Sequence, residues 1–161
     1  MPSPFKVLFV CMGNICRSPA AHGVMQRLID DAALSEQIII DSAGTGGWHA
    51  GSLPDNRMRR HAKKRGFVLD SPARQVRERD FVEFDLIVVM DQQNLRDIRP
   101  FNPTGKLMHK VRMFCEFAEE REETEVPDPY YGGDEGFEQV LDIVENGCKH
   151  LLIHIRSQLD A

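Results

Sequence analysis

The sequence predicts an α/β fold: a single domain over residues 1–161, with a four-stranded, mostly parallel sheet flanked by helices on both faces. Three observations predict it. Short, uninterrupted β-rich runs occur at Lys6–Val10 (KVLFV), Gln37–Ser42 (QIIIDS) and Phe84–Met90 (FDLIVVM), the pattern of strands buried on both faces. Helix-length stretches separate these runs, and parallel strands need crossovers of that length. The segment from about Glu135 to Leu159 carries Phe137, Val140, Leu141, Val144, Cys148, Leu151, Leu152, Ile155 and Leu159 at helical spacing, a stripe that must be covered by the rest of the domain.

The elements follow in order. After the first strand comes a loop with Gly13 and Asn14, two residues that tolerate positive φ. A helix is expected from about Ser18, with Pro19 in its first turn and Ala21, Val24, Met25, Leu28 and Ile29 on its apolar face. The second strand leads into a glycine-rich loop, Ala43–Pro54. Asp55 is a plausible N-cap for a short basic helix that ends before Gly66. Past the third strand, Asp91–Arg96 reads as the first turns of another helix. Lys106–Val111 is expected as a weaker fourth strand, and Phe114–Arg121 as a short helix. A charged loop then reaches Pro127-Asp128-Pro129 before the final helix.

Composition narrows the function. The 161 residues and 42% hydrophobic content suffice for one core and not for two. The net charge of -5 argues against a nucleic-acid partner, whose binding face would be basic. The basic run Arg57–Arg65 is expected to be a solvated helical face. No apolar run approaches the roughly 20 residues that cross a bilayer, and Phe5–Val10 is too short for a signal peptide, so no membrane role is expected and the cytoplasm is the expected compartment. Cys11, Cys16, Cys115 and Cys148 do not have the dense spacing of a disulfide scaffold. Chemistry is expected at the first two and packing at the last two. His150 and His154 stand four apart on the final helix but lack an accompanying glutamate, and no metal or other cofactor is expected.

In sheets of this kind ligands bind beyond the carboxyl ends of the strands, which directs attention to Cys11-Met12-Gly13-Asn14-Ile15-Cys16-Arg17-Ser18. A loop between a buried strand and a helix start can curl so that successive N–H groups point inward, and the helix adds its own free N–H groups and positive dipole end. Arg17 adds a planar donor pair matched to phosphate oxygens. This positive setting favours the anionic form of the Cys11 sulfur, which could then attack a phosphorus atom held in the cradle. Ser18 is placed to donate a hydrogen bond to that sulfur.

The run VCMGNICRSP resembles the signature of the low-molecular-weight protein tyrosine phosphatases. Further stretches resemble the family in order: Asp41-Ser42-Ala43-Gly44-Thr45, Ala73-Arg74-Gln75, Phe84–Asp91 with Asn94-Leu95-Arg96, and Asp128-Pro129-Tyr130-Tyr131-Gly132. The resemblance implies the flavodoxin-like strand order 2-1-3-4, with Cys11 as nucleophile, Arg17 as phosphate clamp and Asp128 as general acid and base. It implies metal-independent hydrolysis of protein phosphotyrosine and small aryl phosphates through a cysteinyl-phosphate intermediate, by a monomer or weakly self-associating protein. Phosphate would sit on the loop from Met12 to Ser18, between aromatic walls at Trp48 and Tyr130. Asn14 would hold the strained turn, with Ser18 and Ser42 among its partners. Ser71 stands where the family commonly has a histidine. Cys16, as an oxidative partner of Cys11, and Tyr130 and Tyr131, as phosphorylation sites, are the implied points of regulation.

Three other readings compete. Thioredoxin-coupled arsenate reductases use a similar loop but add a cysteine pair in mid-chain, and no cysteine lies between Cys16 and Cys115. Related phosphoarginine phosphatases tend to carry threonine in place of Ile15. A phosphoprotein-binding module without turnover would be expected to lack the nucleophile or the acid, yet Cys11, Arg17 and Asp128 are all present.

Overall fold

The β1 strand, Phe5–Cys11, lies at the centre of a four-stranded parallel sheet of order β2-β1-β3-β4, in which β2 is Ile38–Gly44, β3 is Leu86–Val89 and β4 is Val111–Met113. The computed structural model describes residues 3–160, so residues 1, 2 and 161 at the ends of the expected domain lie outside the described residues. Register runs from Phe5 opposite Ile38 to Cys11 opposite Gly44 on one side of β1, and from Val7 opposite Leu86 on the other. The period of two along β1 divides the core. Val7, Phe9 and Cys11 face the larger cluster, while Leu8 and Val10 face the smaller one on the opposite side.

Helices cover both faces. On the larger side lie α1 (Arg17–Asp31) and α5 (Asp134–Leu159), with Met58 and Ala62 of α2 (Asn56–Lys64). The other face receives Phe81 of α3 (Asp80–Glu83) and Ile98 of α4 (Gln92–Ile98). Phe137, Val140, Leu141, Val144, Cys148, Leu151, Leu152 and Ile155 of α5 are buried, as their spacing predicted. Asp55 caps α2, accepting from the N–H groups of Arg57 and Met58, and Gly66 ends that turn at φ +90°.

Several expectations are corrected. Lys106–Val111 is mostly turn: Gly105 adopts φ +71°, Met108–Lys110 form a 3₁₀ turn, and only Val111–Met113 pair with β3. Lys110 is held instead by its ammonium, which donates to the carbonyls of Phe81 and Phe84. The helix expected over Phe114–Arg121 is a single 3₁₀ turn, Phe114–Glu116, and the N–H groups of Phe117, Ala118 and Arg121 bond three residues back, as turns do, and not four. The basic run is only partly solvated. Arg65 pairs with Glu138, Asp142 and Glu145 of α5, and His61 is buried against Glu138 and Asp134. Side chains that read as a charged surface thus dock α2 onto α5. α3 leaves no signal in the sequence, because four residues are too few to show a period.

Candidate active site

The β1 strand ends at Cys11 and α1 begins at Arg17, so the loop between them sits at the carboxyl edge of the sheet. The next loop supports it from beneath. Thr45 N–H donates to the Cys11 carbonyl and Gly46 N–H to that of Met12, both at 2.9 Å. Gly44 allows this closeness, since a Cβ there would lie 2.7 Å from the Met12 oxygen. The start of α2 is tied in as well, with Asp55 N–H donating to the Ile15 carbonyl at 2.8 Å.

Within the loop, Asn14 adopts φ +57° and is buried. Gly13 does not adopt positive φ; its lack of a side chain is needed for space, because a Cβ would meet the His49 ring at 2.9 Å. The Asn14 amide donates to Ser18 Oγ at 2.8 Å, and its oxygen accepts from the Arg74 N–H at 3.0 Å. Ser18 Oγ lies 3.0 Å from Cys11 Sγ. The expected link from Ser42 and Ser71 to Asn14 takes a different form: both hydroxyls meet Nδ1 of His22, at 3.3 and 3.4 Å.

Arg17 is the largest fully buried side chain among the described residues. Its guanidinium donates to Asp91 Oδ2 at 2.5 Å and to the Val126 carbonyl at 3.0 Å, and lies 3.8 Å from Asp128 Oδ2. Burial opposes the charge, but Cys11, Asp91 and Asp128 outweigh it and hold the guanidinium above its ordinary pKa. Asp91 also caps α4 by accepting from Asn94 N–H at 2.7 Å. The sequence placed Asp91 at a helix start and gave no sign of this second contact, made across 74 positions.

A cleft of about 290 Å³ opens above the loop, lined by Cys11, Met12, Gly13, Ile15, Cys16, Arg17, Trp48, His49, Asp128, Tyr130 and Tyr131. Asn14 and Ser18 brace the loop from below it. Trp48 packs over Gly46 and is 65% exposed, which leaves its ring available to a ligand. The His49 ring lies between the walls, with centroids 6.0 Å from Trp48 and 6.5 Å from Tyr130. Arg57 supports the far wall, donating to the Tyr130 carbonyl at 3.0 Å with its guanidinium carbon 5.4 Å from the ring. Sequence reasoning overlooked His49 and Arg57; the only signal was their place in a glycine-rich loop and a capped helix.

Asp128 stands at the rim, 41% exposed, one oxygen accepting from Tyr130 N–H at 3.0 Å and the other facing Arg17. Cys11 and Cys16 are not joined by a disulfide. Burial, reinforced by Asp55, Cys11 and Asp128, pushes the Cys16 thiol well above its ordinary pKa and keeps it protonated. His150 and His154 do not converge: the first contacts the Asn146 carbonyl and the second packs on Phe117.

Residues 6–161 match the family model described as low molecular weight phosphotyrosine protein phosphatase. The chain belongs to the low molecular weight protein tyrosine phosphatases. This is an enzyme family of phosphoric monoester hydrolases. A putative low molecular weight protein-tyrosine-phosphatase of Synechocystis is 50% identical over 154 residues, covering 96% of this chain and 98% of that one. The crystal structure of a protein tyrosine phosphatase from Entamoeba histolytica, with Hepes in its active site, superposes with a TM-score of 0.92 at 44% identity, covering 96% of this chain and 98% of that one. The Drosophila arginine phosphatase shares the phosphatase fold at 29% identity and a TM-score of 0.86, covering 94% and 98%. One backbone therefore serves proteins named for two different substrates.

Proposed function

We propose that this chain hydrolyses protein phosphotyrosine and small aryl phosphates without a metal, through a cysteinyl-phosphate intermediate. The observation that carries the reading is the convergence of the Cys11 sulfur, the Arg17 guanidinium and the Asp128 carboxylate on one aromatic-walled cleft. The Cys11 thiolate attacks phosphorus, and the bond from phosphorus to the phenolic oxygen breaks. Asp128 gives its proton to that oxygen. Water then attacks the phosphocysteine, Asp128 takes a proton from it, and the sulfur leaves as a thiolate stabilised by the Ser18 hydroxyl. Arg17 and the loop N–H groups, with Arg17 fixed by Asp91, neutralise charge on the transferring oxygens. Trp48, Tyr130 and the apolar Ile15 favour a flat aryl leaving group over an aliphatic one.

The test is release of phosphate from peptides bearing phosphotyrosine, phosphoserine or phosphoarginine, with and without a chelator. Phosphotyrosine should be strongly preferred and the chelator should have no effect; preference for phosphoarginine would reassign the substrate. Cys11→Ser should abolish turnover with an unchanged circular dichroism spectrum, and retained activity would exclude the nucleophile. Asp128→Ala should slow expulsion of a poor leaving group by about 10²–10⁴-fold, the usual contribution of general acid catalysis.

A further inference from the structure

We infer that Arg74 is a positioning residue for the phosphate loop, acting through Asn14. The inference rests on the phosphatase reading above and extends it to a residue that does not line the cleft. Asn14 holds a left-handed backbone conformation that asparagine tolerates better than most residues, and its buried side chain is held in place by its hydrogen-bond partners. Those partners are Ser18 Oγ at 2.8 Å and the Arg74 N–H at 3.0 Å. Ser18 Oγ in turn lies 3.0 Å from Cys11 Sγ. A line of three hydrogen bonds thus runs from the main chain of Arg74 to the sulfur.

A main-chain N–H is only as well placed as the residue that carries it, and Arg74 is fixed from two sides. Its carbonyl accepts from Gly44 N–H at 2.8 Å, and Val76 N–H returns to the Gly44 carbonyl at 2.8 Å. Its guanidinium spans two carboxylates. It reaches Asp41 Oδ2 at 3.1 and 3.0 Å through Nε and Nη2, and the two oxygens of Asp80 at 2.9 and 3.2 Å. Asp80 is fully buried and also accepts from Arg77 N–H at 2.8 Å. An ion pair so placed contributes little net stability, because desolvation offsets the attraction. Its directional bonds do fix geometry, and the planar guanidinium makes four of them to the two carboxylates at fixed angles, more than the three donors of a lysine could make. Asp41 neighbours Ser42 on β2 and Asp80 begins α3, so the clamp refers the Asn14 contact to two rigid elements.

The test is a double-mutant cycle. Arg74→Ala should lower kcat for an aryl phosphate, by up to about 10²-fold, the scale of a misplacement near 1 Å, with a smaller change in KM. The same substitution added to Asn14→Ala should cause no further loss, because the two act along one line. Arg74→Lys should stay impaired. Alkylation of Cys11 by iodoacetate, which needs no turnover, should slow in the same order. Should Arg74→Ala fail to fold with only Arg77 left beside Asp80, Asp41→Ala removes one arm of the clamp at a partly exposed carboxylate and should lower kcat several-fold. Additive losses in the cycle would overturn the inference, as would unchanged kcat and alkylation in either folded variant. A wild-type protein that turns over no aryl phosphate but keeps the alkylation order would sink the function and support the clamp.

Discussion

Asp91 serves two elements with its two carboxylate oxygens. One caps α4 and the other receives the buried Arg17 guanidinium. These roles separate by substitution. Asp91→Asn keeps an amide oxygen suited to capping but loses the charge beside Arg17. It should cost about 1.5–3 kcal/mol in urea unfolding, the range for hydrogen bonds to charged groups, and weaken phosphate inhibition. Asp91→Ala should cost about 1 kcal/mol more through the lost cap. Cys16 makes a second prediction at this scale. Its protonated thiol is a poor nucleophile until the loop opens, so pairing with an oxidised Cys11 should be slow but protective. Peroxide inactivation should be reversible by thiol in the wild-type protein and irreversible in Cys16→Ser.

At the scale of elements, the interface between α2 and α5 carries the wall of the cleft. Arg65 meets Glu138, Asp142 and Glu145, three acids on one face of α5 that would otherwise repel one another. Burial opposes its charge, yet these carboxylates raise the Arg65 pKa well above its ordinary value. Arg65→Ala should destabilise the protein by about 1.5–3 kcal/mol, and by less in high salt. Since α2 also carries Arg57, which supports Tyr130, the variant should raise KM for aryl phosphates more than it lowers kcat. The basic run looked like surface in the sequence because its partners lie more than 70 positions away. Conversely, the capping Asp55 and the terminating Gly66 were legible, because both act within one turn of their own helix.

At the scale of the molecule, stability should fall on acidification before the bulk of the carboxylates titrate. Burial lowers the pKa of His22 from its ordinary 6.5, despite Asp41 and Asp70 nearby. The unfolded chain then binds a proton that the folded chain refuses. Stability is full above about pH 6.5 and declines as pH falls towards the depressed folded value. Asp55 acts lower down: burial opposes its ionisation, but the side chain and N–H of Arg57 outweigh this and hold it below 3.8, so its contribution is lost as pH falls through that depressed value. Melting temperature followed from pH 7 to 5 should drop in the wild-type protein and stay flatter in His22→Gln. Parallel curves would remove His22 as the source.

The sequence by itself determined the sheet, the long helices and the loop from Cys11 to Ser18, because period, caps and a strand-to-helix junction are local properties written within a few residues. It could not determine which distant side chains complete the site. Asp91, Arg74 and His49 reach the loop only after the sheet has brought β2, β3 and the intervening loops alongside β1, and no spacing along the chain encodes such a meeting. The weak β4 went the same way: its register with β3 and the turn at Gly105, not its own composition, decided where it starts. Contacts between residues close in sequence follow from propensity. Those across 60 or 70 positions follow from how the core excludes water, and only the folded chain resolves them.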